Sequence, residues 1–341
     1  MLSFENDYNR GACPEILQRL REINDEPQTG YGMDGICRAA AEKIRAACLC
    51  PEAEVFFLEG GTQTNQVACA ALLKSYEGVI AAETGHVSVH EAGAIEATGH
   101  KVITLPGHGG KLDAGELRGW LERFFADETR EHMVFPGMVY LSYPSELGTL
   151  YSKAELTAVA AVCRDYGLPL YLDGARLACG LMSPESDLTL PELAALCDAF
   201  YIGGTKMGAL FGEALVFPRG NAPAHMVTLI KQRGALLAKG WLLGLQFDVL
   251  FTDELYFRLG EHAIRQALRL RELLQEKGCA LRGASPTNQQ FVLLENERAE
   301  RLIRQARAEV WERADEEHTV LRLCTSWATS DAELEELSAL L

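Results

Sequence analysis

The sequence lacks the features that mark secreted, membrane-spanning and disulfide-stabilised proteins. Its ten cysteines include no C-x-x-C pair, and most lie inside apolar stretches. Buried, reduced thiols are therefore favoured over a metal or redox pair at Cys48 and Cys50. No apolar run is long enough to cross a membrane, and residues 1–7 lack the basic and apolar regions of a signal peptide. These absences predict a cytoplasmic protein.

Basic residues are also scarce relative to acidic ones. The 341 residues carry 32 Lys and Arg against 48 Asp and Glu, a formal net charge of −16. An acidic chain of this kind repels a phosphate backbone, so nucleic acid is not an expected partner. The length allows one large and one smaller domain. We place the large domain at residues 1–240, with an N-terminal arm and helix at 1–25, and a small α+β domain at 241–341.

Seven short apolar stretches alternate with helical patterns between residues 55 and 217. The predicted strands are 55–58, 79–82, 101–105, 138–142, 168–171, 199–202 and 214–217. This alternation predicts an α/β fold with a mostly parallel seven-stranded sheet flanked by helices. The last strand follows its predecessor too closely for a crossover helix, so we expect it to run antiparallel.

The helices are predicted from apolar periodicity and from capping residues. They cover residues 14–23, 35–48, 66–75, 114–125 and 153–166, and most of 223–278. A further predicted helix carries Val87, His90 and Ile95. In the tail we predict strands at 290–294 and 320–324, and helices at 299–313 and 331–341.

Two predicted strands end in residues that carry chemistry. One runs into Asp173-Gly-Ala-Arg176, and the other into Gly203-Gly-Thr205-Lys206. Ligands of such sheets bind at the carboxyl ends of the strands. An acid at one strand end and a lysine at a later one suit pyridoxal phosphate (PLP), which needs a Schiff-base lysine and an acid beside its pyridinium nitrogen. As alternatives, Asp173 caps a helix or Arg176 forms a structural ion pair.

Two further stretches bear on this site. Residues 59–65 place glycines between a strand and a helix, which is either a phosphate cradle or an ordinary turn. They match neither a Walker loop nor G-x-G-x-x-G. His86 and His90 stand four positions apart, but no third ligand lies at a recognisable spacing, so no metal is predicted. They are an aromatic platform beneath a planar cofactor or solvated side chains.

Taken together, four motifs resemble the low-specificity L-threonine aldolase and β-eliminating lyase family of PLP enzymes, which has the aspartate aminotransferase fold (type I). The motifs are Gly61-Thr-Gln-Thr-Asn65, His86 with Glu91-Ala-Gly93, Asp173-Gly-Ala-Arg176, and Thr205-Lys206. They occur in the family's order over essentially the whole chain. The resemblance implies that residues 1–240 form a PLP fold type I large domain.

The resemblance also implies roles for individual residues. Lys206 would hold PLP as a Schiff base, Asp173 would pair with the ring nitrogen, and His86 would stack on the ring. Cofactor binding falls to Gly61, Thr62, His86, Asp173, Arg176, Thr205, Lys206 and Arg233, and substrate binding to Asn6, Tyr31, Arg176 and Arg322. For Arg322 the alternative is a solvated position on a strand. Arg233 and Tyr31 are candidates to reach a neighbouring subunit's site in a homodimer or homotetramer.

The sequence departs from the family pattern in three places. Asn6-Asp7-Tyr8 stands where better-known members have serine-aspartate-threonine. The loop at 143–146 reads Tyr-Pro-Ser-Glu and lacks their histidine. The stretch 234–239 has a single glycine where theirs is glycine-rich. These differences leave the prediction of the cofactor site unchanged, but they bear on which reaction the protein catalyses.

The predicted function is PLP-dependent cleavage of the Cα–Cβ bond of threonine-like β-hydroxy-α-amino acids to glycine and an aldehyde. The catalytic residues would be Lys206, His86 and His90, with either histidine or a water as the base. The alternatives are β-elimination or transamination of another small amino acid. A binding or regulatory module is disfavoured because Lys206, Asp173 and Arg176 are all present.

Overall fold

The computed structural model describes residues 2–283 and 285–341. The strands are β1 (Glu54–Leu58), β2 (Glu77–Ala82), β3 (Val102–Leu105), β4 (Phe135–Ser142), β5 (Leu170–Asp173), β6 (Ala199–Gly203), β7 (Glu213–Phe217), β8 (Ala280–Leu281), β9 (Gln289–Glu295), β10 (Glu309–Arg313) and β11 (His318–Cys324). The helices are α1 (Pro14–Ile23), α2 (Gly35–Cys48), α3 (Gly61–Leu72), α4 (His86–Val89), α5 (Ala114–Ala126), α6 (Lys153–Tyr166), α7 (Leu177–Leu181), α8 (Leu190–Leu196), α9 (Met226–Gln232), α10 (Trp241–Leu250), α11 (Leu255–Glu276), α12 (Asn296–Ala306) and α13 (Asp331–Leu340).

The large sheet has the strand order β1-β7-β6-β5-β4-β2-β3. Strands β2 to β6 pair in parallel, whereas β7 is antiparallel to both β6 and β1. The predicted mostly parallel seven-stranded sheet is therefore confirmed, including the reversed direction of β7. Because β7 reverses, β1 runs in the same direction as β2 to β6 and ends at the same edge.

Helices cover both faces of this sheet. Neighbouring residues on β2 point to opposite faces: Ile80 belongs to the same buried cluster as Leu156 of α6, and Val79 to the cluster that contains Val67 of α3. Since both faces are buried, these strands read as continuous apolar runs rather than as alternating patterns. This is why short apolar stretches located them correctly.

The tail forms a second sheet, antiparallel throughout, in the order β10-β11-β9-β8. Its apolar cluster includes Leu2 and Phe4. The Phe4 amide donates to the Ala306 carbonyl over 3.0 Å, and the Cys324 amide donates to the Phe4 carbonyl over 2.8 Å. The first residues of the chain thus pack on the C-terminal sheet, and the boundary at 240/241 stays a prediction.

Helix α3 begins at Gly61, so the predicted start at residue 66 was wrong. Gly60 is the N-cap, and the Thr64 hydroxyl donates to its carbonyl over 2.9 Å. The first turns carry polar residues, Thr-Gln-Thr-Asn, and the apolar periodicity begins only at Val67. Thr62 lines the site described below and Asn65 bonds to Asp173, so polar residues occupy the first turn and masked the helical pattern.

Two other predicted helices were also too long. The one expected through Ile95 ends at Val89, and Ala92 and Gly93 adopt left-handed backbone conformations with φ of 50° and 72°. The one expected at 299–313 ends at Ala306, and 309–313 form β10 instead. Strand β8 was not predicted at all. Among the helices of the described ranges, none has the length and apolar character needed to cross a membrane.

Candidate active site

The carboxyl ends of β1, β4, β5 and β6 open onto one cavity of about 270 Å³. Gly61 and Thr62 reach it at the start of α3, Asp173 at the end of β5, and Lys206 after β6. His86 lines it from α4. The sheet therefore brings together at least one residue from each of the four sequence motifs.

Asp173 is buried at the bottom of this site. Its Oδ2 accepts hydrogen bonds from the Tyr140 hydroxyl over 2.7 Å and from Asn65 Nδ2 over 3.0 Å. Its Oδ1 accepts from the Ala175 amide over 3.1 Å. The following helix is capped at Arg176, so the helix-capping alternative for Asp173 was wrong.

His86 is connected to Asp173 by a chain of buried polar groups. Its Nδ1 lies 2.8 Å from Glu91 Oε1, which also accepts from Asn65 Nδ2 over 2.7 Å, and Asn65 in turn donates to Asp173. Burial would lower the pKa of His86, but the bond to Glu91 and the charge of Asp173 raise it. Glu91 thus orients the imidazole through Nδ1 and favours its protonated form.

His90 lies beside His86, with 5.7 Å between the ring centroids. Partial burial and the positive charges of His86 and Arg322 lower its pKa. The described residues contain no group of three His, Cys, Asp or Glu side chains arranged to hold a metal ion.

Lys206 faces the cavity from the loop after β6, and its Nζ lies 6.0 Å from the centroid of the Tyr8 ring. Desolvation of the amine and the charge of Arg176 lower its pKa, while Asp7, Asp173 and Glu213 oppose this shift. A lysine with a lowered pKa has a larger fraction of neutral amine available for attack on a carbonyl.

Glu213 of β7 holds the loop that carries Lys206. Its Oε1 accepts from the Thr205 hydroxyl over 2.8 Å, and its Oε2 from the Gly204 amide over 3.0 Å. The Thr205 hydroxyl also accepts from the Gly212 amide over 3.1 Å. Burial raises the pKa of Glu213 to about 8. Sequence reasoning missed this residue because the predicted strand began only at residue 214, whereas Glu213 is the first residue of β7.

Arg176 forms a two-pronged ion pair with Asp7 of the N-terminal arm. Nε donates to Oδ2 over 2.6 Å and Nη2 donates to Oδ1 over 3.0 Å. Asn288 Nδ2 also donates to Asp7 Oδ2, over 2.8 Å. The structural ion pair that was the alternative for Arg176 therefore exists, and the side chain nevertheless lines the cavity. The sequence placed Asp7 in a family stretch but gave no sign that it pairs with Arg176.

A second cavity of about 250 Å³ adjoins the first and shares His86, Glu146, Arg176 and Lys206 with it. Arg322 of β11 lines only the second. Its guanidinium is bonded to Glu309 and to Gln289 Oε1, the latter over 3.0 Å, and lies 5.5 Å from the centroid of the Trp311 ring. The structure thus brings Arg322 next to the cofactor pocket rather than to a solvated strand face.

Three predicted site residues do not line either cavity. The Asn6 side chain accepts from the Tyr8 amide over 3.1 Å. The Tyr31 ring lies 4.7 Å from Lys231 Nζ, beside a separate apolar cavity. Arg233 ends α9, and its Nε is buried with no hydrogen-bond partner in residues 2–283 and 285–341. Their predicted roles remain predictions.

The residues at the strand ends fit PLP. Helix α3 begins at Gly61, and its N-cap Gly60 provides no side-chain cap, so its first amide groups are available to an anion such as a phosphate. A Cβ at Gly61 would lie 3.0 Å from the Tyr201 hydroxyl, a tight contact that the glycine avoids. With Asp173 and Lys206 at neighbouring strand ends, fold and site define a PLP-dependent enzyme of the fold type I class.

Comparison with known proteins identifies the family. The model of the beta-eliminating lyase family matches residues 7–319. The low specificity L-threonine aldolase of Pseudomonas aeruginosa is 33% identical over 280 residues, 80% of this chain and 78% of that protein. The structure of Leishmania major threonine aldolase is 45% identical, with a TM-score of 0.96, and the match covers 100% of this chain and 98% of that one.

The chain belongs to the beta-eliminating lyase family, which confirms the resemblance drawn from the four motifs. The fold alone is shared more widely. Ureidoglycine-glyoxylate aminotransferase from Bacillus subtilis is 14% identical, with a TM-score of 0.70 over 100% of this chain and 92% of that one.

Proposed function

We propose that this protein is a PLP-dependent aldolase that cleaves threonine, allo-threonine and similar β-hydroxy-α-amino acids to glycine and an aldehyde. The observation that carries the proposal is the position of Lys206 and Asp173 in one cavity, next to a second cavity large enough for a small amino acid. The relatives that cover most of the chain are named threonine aldolases, which favours aldol cleavage over elimination or transamination.

In this proposal PLP is held by residues already in place. Lys206 would hold PLP as a Schiff base, Asp173 would pair with the ring nitrogen, and His86 would stack on the ring. Gly61 and Thr62 would bind the phosphate through the start of α3, and Thr205 supports the lysine loop through Glu213. When bound, PLP supplies an acceptor for the electron pair that bond cleavage leaves on Cα.

Substrate binding is assigned to arginines of both sheets. Arg176 and Arg322 supply guanidinium groups suited to a carboxylate. Asp7 fixes the orientation of Arg176 by occupying Nε and Nη2. We keep Asn6 as a candidate donor to the same carboxylate because it is adjacent to Asp7 in the chain.

The proposed assembly is a homodimer or homotetramer with shared sites. Tyr31, Met33 and Val227 are exposed around the apolar cavity beside α9, and the unpartnered Arg233 Nε lies at the end of that helix. A second subunit would cover these apolar groups and place Arg233 at the partner's phosphate. All ten cysteines are free thiols, in keeping with the reducing cytoplasm proposed as its location.

A product assay on purified protein tests the proposed reaction. Threonine and allo-threonine should give glycine and acetaldehyde, and the protein should show a visible absorption band that is lost in Lys206→Ala together with cleavage. The physical reason is that Lys206 supplies the only amine in this cavity among the described lining residues. A colourless wild type, or keto acid and ammonia without glycine, would reject the aldolase.

A further inference from the structure

Glu146 occupies the junction of the two cavities. It lies in the loop after β4, where the sequence lacks the family's histidine, and it lines both the PLP pocket and the adjoining chamber. Lys206 also lines both. A substrate whose amino group replaced that of Lys206 on the cofactor would therefore lie beside this junction.

The two carboxylate oxygens of Glu146 differ in their hydrogen bonding. Oε1 accepts from the His86 amide over 2.8 Å and from the Ser142 hydroxyl over 2.5 Å. Oε2 is buried and has no hydrogen-bond partner among residues 2–283 and 285–341. An unpartnered buried carboxylate oxygen is costly, so it points to a ligand group that supplies a proton or a donor.

The competing bases are less well placed. Nδ1 of His86 is already bonded to Glu91, and the pKa of His86 is raised, which favours the protonated ring. His90 is more exposed, and its pKa is lowered. Burial raises the pKa of Glu146 and brings it closer to neutrality, where a general base works best.

We propose that Glu146 is a catalytic residue that takes the proton of the substrate's β-hydroxyl through Oε2. The inference rests on the proposed aldolase function. As Oε2 takes the proton, the electron pair of the hydroxyl O–H bond forms the second bond between this oxygen and Cβ, which gives the carbonyl group of the aldehyde. The Cα–Cβ bond breaks, its electron pair passes to Cα, and Cα then takes a proton from water to give glycine. Glu146 releases its proton to water after the aldehyde leaves.

Glu146→Gln is a selective test because glutamine retains an oxygen that can accept from the His86 amide and Ser142. It replaces only the proton-accepting function of the carboxylate. Two reactions of the holoenzyme are compared: cleavage of threonine, and exchange of the glycine α-proton with D₂O followed by NMR. The exchange needs PLP but no β-hydroxyl base. We expect cleavage to fall by about 10²-fold or more, with exchange and the visible band close to wild type.

The pH profile supplies a second readout. In the wild type, kcat/KM for threonine should fall on the acidic side as Glu146 becomes protonated, and this limb should be absent in the residual activity of Glu146→Gln. Glu116→Gln is the matched control, because that carboxylate lies on the exposed side of α5 and its loss should change neither reaction.

Three results would overturn the assignment and leave the aldolase intact. They are unchanged cleavage in Glu146→Gln, an equal loss of cleavage and exchange, and a selective loss of cleavage in His90→Asn with cleavage retained in Glu146→Gln. A wild type that exchanges the glycine α-proton but does not cleave β-hydroxy-α-amino acids would instead reject the proposed function itself.

Discussion

Asp7 and Arg176 show how a buried ion pair determines the geometry of one residue. The Asp7 side chain is fully buried and that of Arg176 is 13% exposed, so neither charge is stabilised by much water. Two hydrogen bonds hold the guanidinium plane in one orientation. Arg176 can therefore present its remaining surface to the cavity with a smaller loss of rotamer entropy on substrate binding.

Because of this pair, the free energy of unfolding should depend on pH in the acidic range. Burial would raise the pKa of Asp7, but Arg176 and Lys206 lower it from 3.8 to about 2. A carboxyl with a depressed folded-state pKa contributes stability above its unfolded pKa and loses it as pH falls through the folded value. The difference in unfolding free energy between wild type and Asp7→Asn should therefore shrink by about 2 kcal/mol between pH 4 and pH 2.

Urea unfolding followed by tryptophan fluorescence at a series of pH values measures this difference. Near pH 7 the variant should be less stable by about 3–5 kcal/mol, because it leaves a buried arginine unpaired. Asp165→Asn, which removes an exposed partner of Arg118, should cost less than about 1 kcal/mol. A gap between wild type and Asp7→Asn that widens toward pH 2 would contradict the assigned shift.

At the scale of elements, the contact of α7 with α11 positions the residues after Arg176. A Cβ at Gly260 of α11 would lie 2.6 Å from Ala178 Cβ and 2.9 Å from the Ala178 carbonyl carbon. The absence of a side chain at Gly260 therefore permits the long helix to pack against the short one that follows the site.

Gly260→Ala should for this reason destabilise the protein, although glycine-to-alanine changes usually stabilise helix interiors by about 1 kcal/mol. Overpacking costs about 1–3 kcal/mol. Gly119→Ala in α5 is the matched control, because its nearest neighbour is the flexible end of Arg123 at 3.4 Å. Thermal unfolding should show a lower Tm for the first and an equal or higher Tm for the second. Equal increases in both would refute the close contact.

At the scale of the whole molecule, the proposed homo-oligomer predicts that Arg233 acts in the site of a neighbouring subunit. If it reaches the partner's phosphate, mixed oligomers of Lys206→Ala and Arg233→Ala should regain activity that neither variant has alone. Each mixed dimer then holds one site with an intact Lys206 and an intact Arg233. Threonine cleavage after co-refolding measures this, with each variant refolded alone as the control.

The mixing experiment has a different outcome if Arg233 acts within its own subunit. If Arg233 served its own subunit, every site in the mixture would lack one of the two residues and activity would stay at the level of the separate variants. Full activity in a monomer by light scattering would also reject shared sites.

The sequence by itself determined the large sheet and the cofactor pocket. Buried parallel strands appear as short apolar runs, and the polar residues at their ends follow directly in the chain, as at Asp173 and Lys206. Such information is local, so it can be read without a structure. The reversal of β7 followed from the short connection before it, whereas the order of the strands came only from the structure.

Only the tertiary structure decided the contacts between distant segments. Asp7 is 169 residues from Arg176, and β10 forms because it pairs with β11, although its sequence continued a helical pattern. The unpartnered oxygen of Glu146 likewise depends on β4, α4 and two cavities meeting at one point. Charge pairing, sheet pairing and desolvation act across space, so the pocket was readable from local motifs whereas the choice of base and the orientation of Arg176 were not.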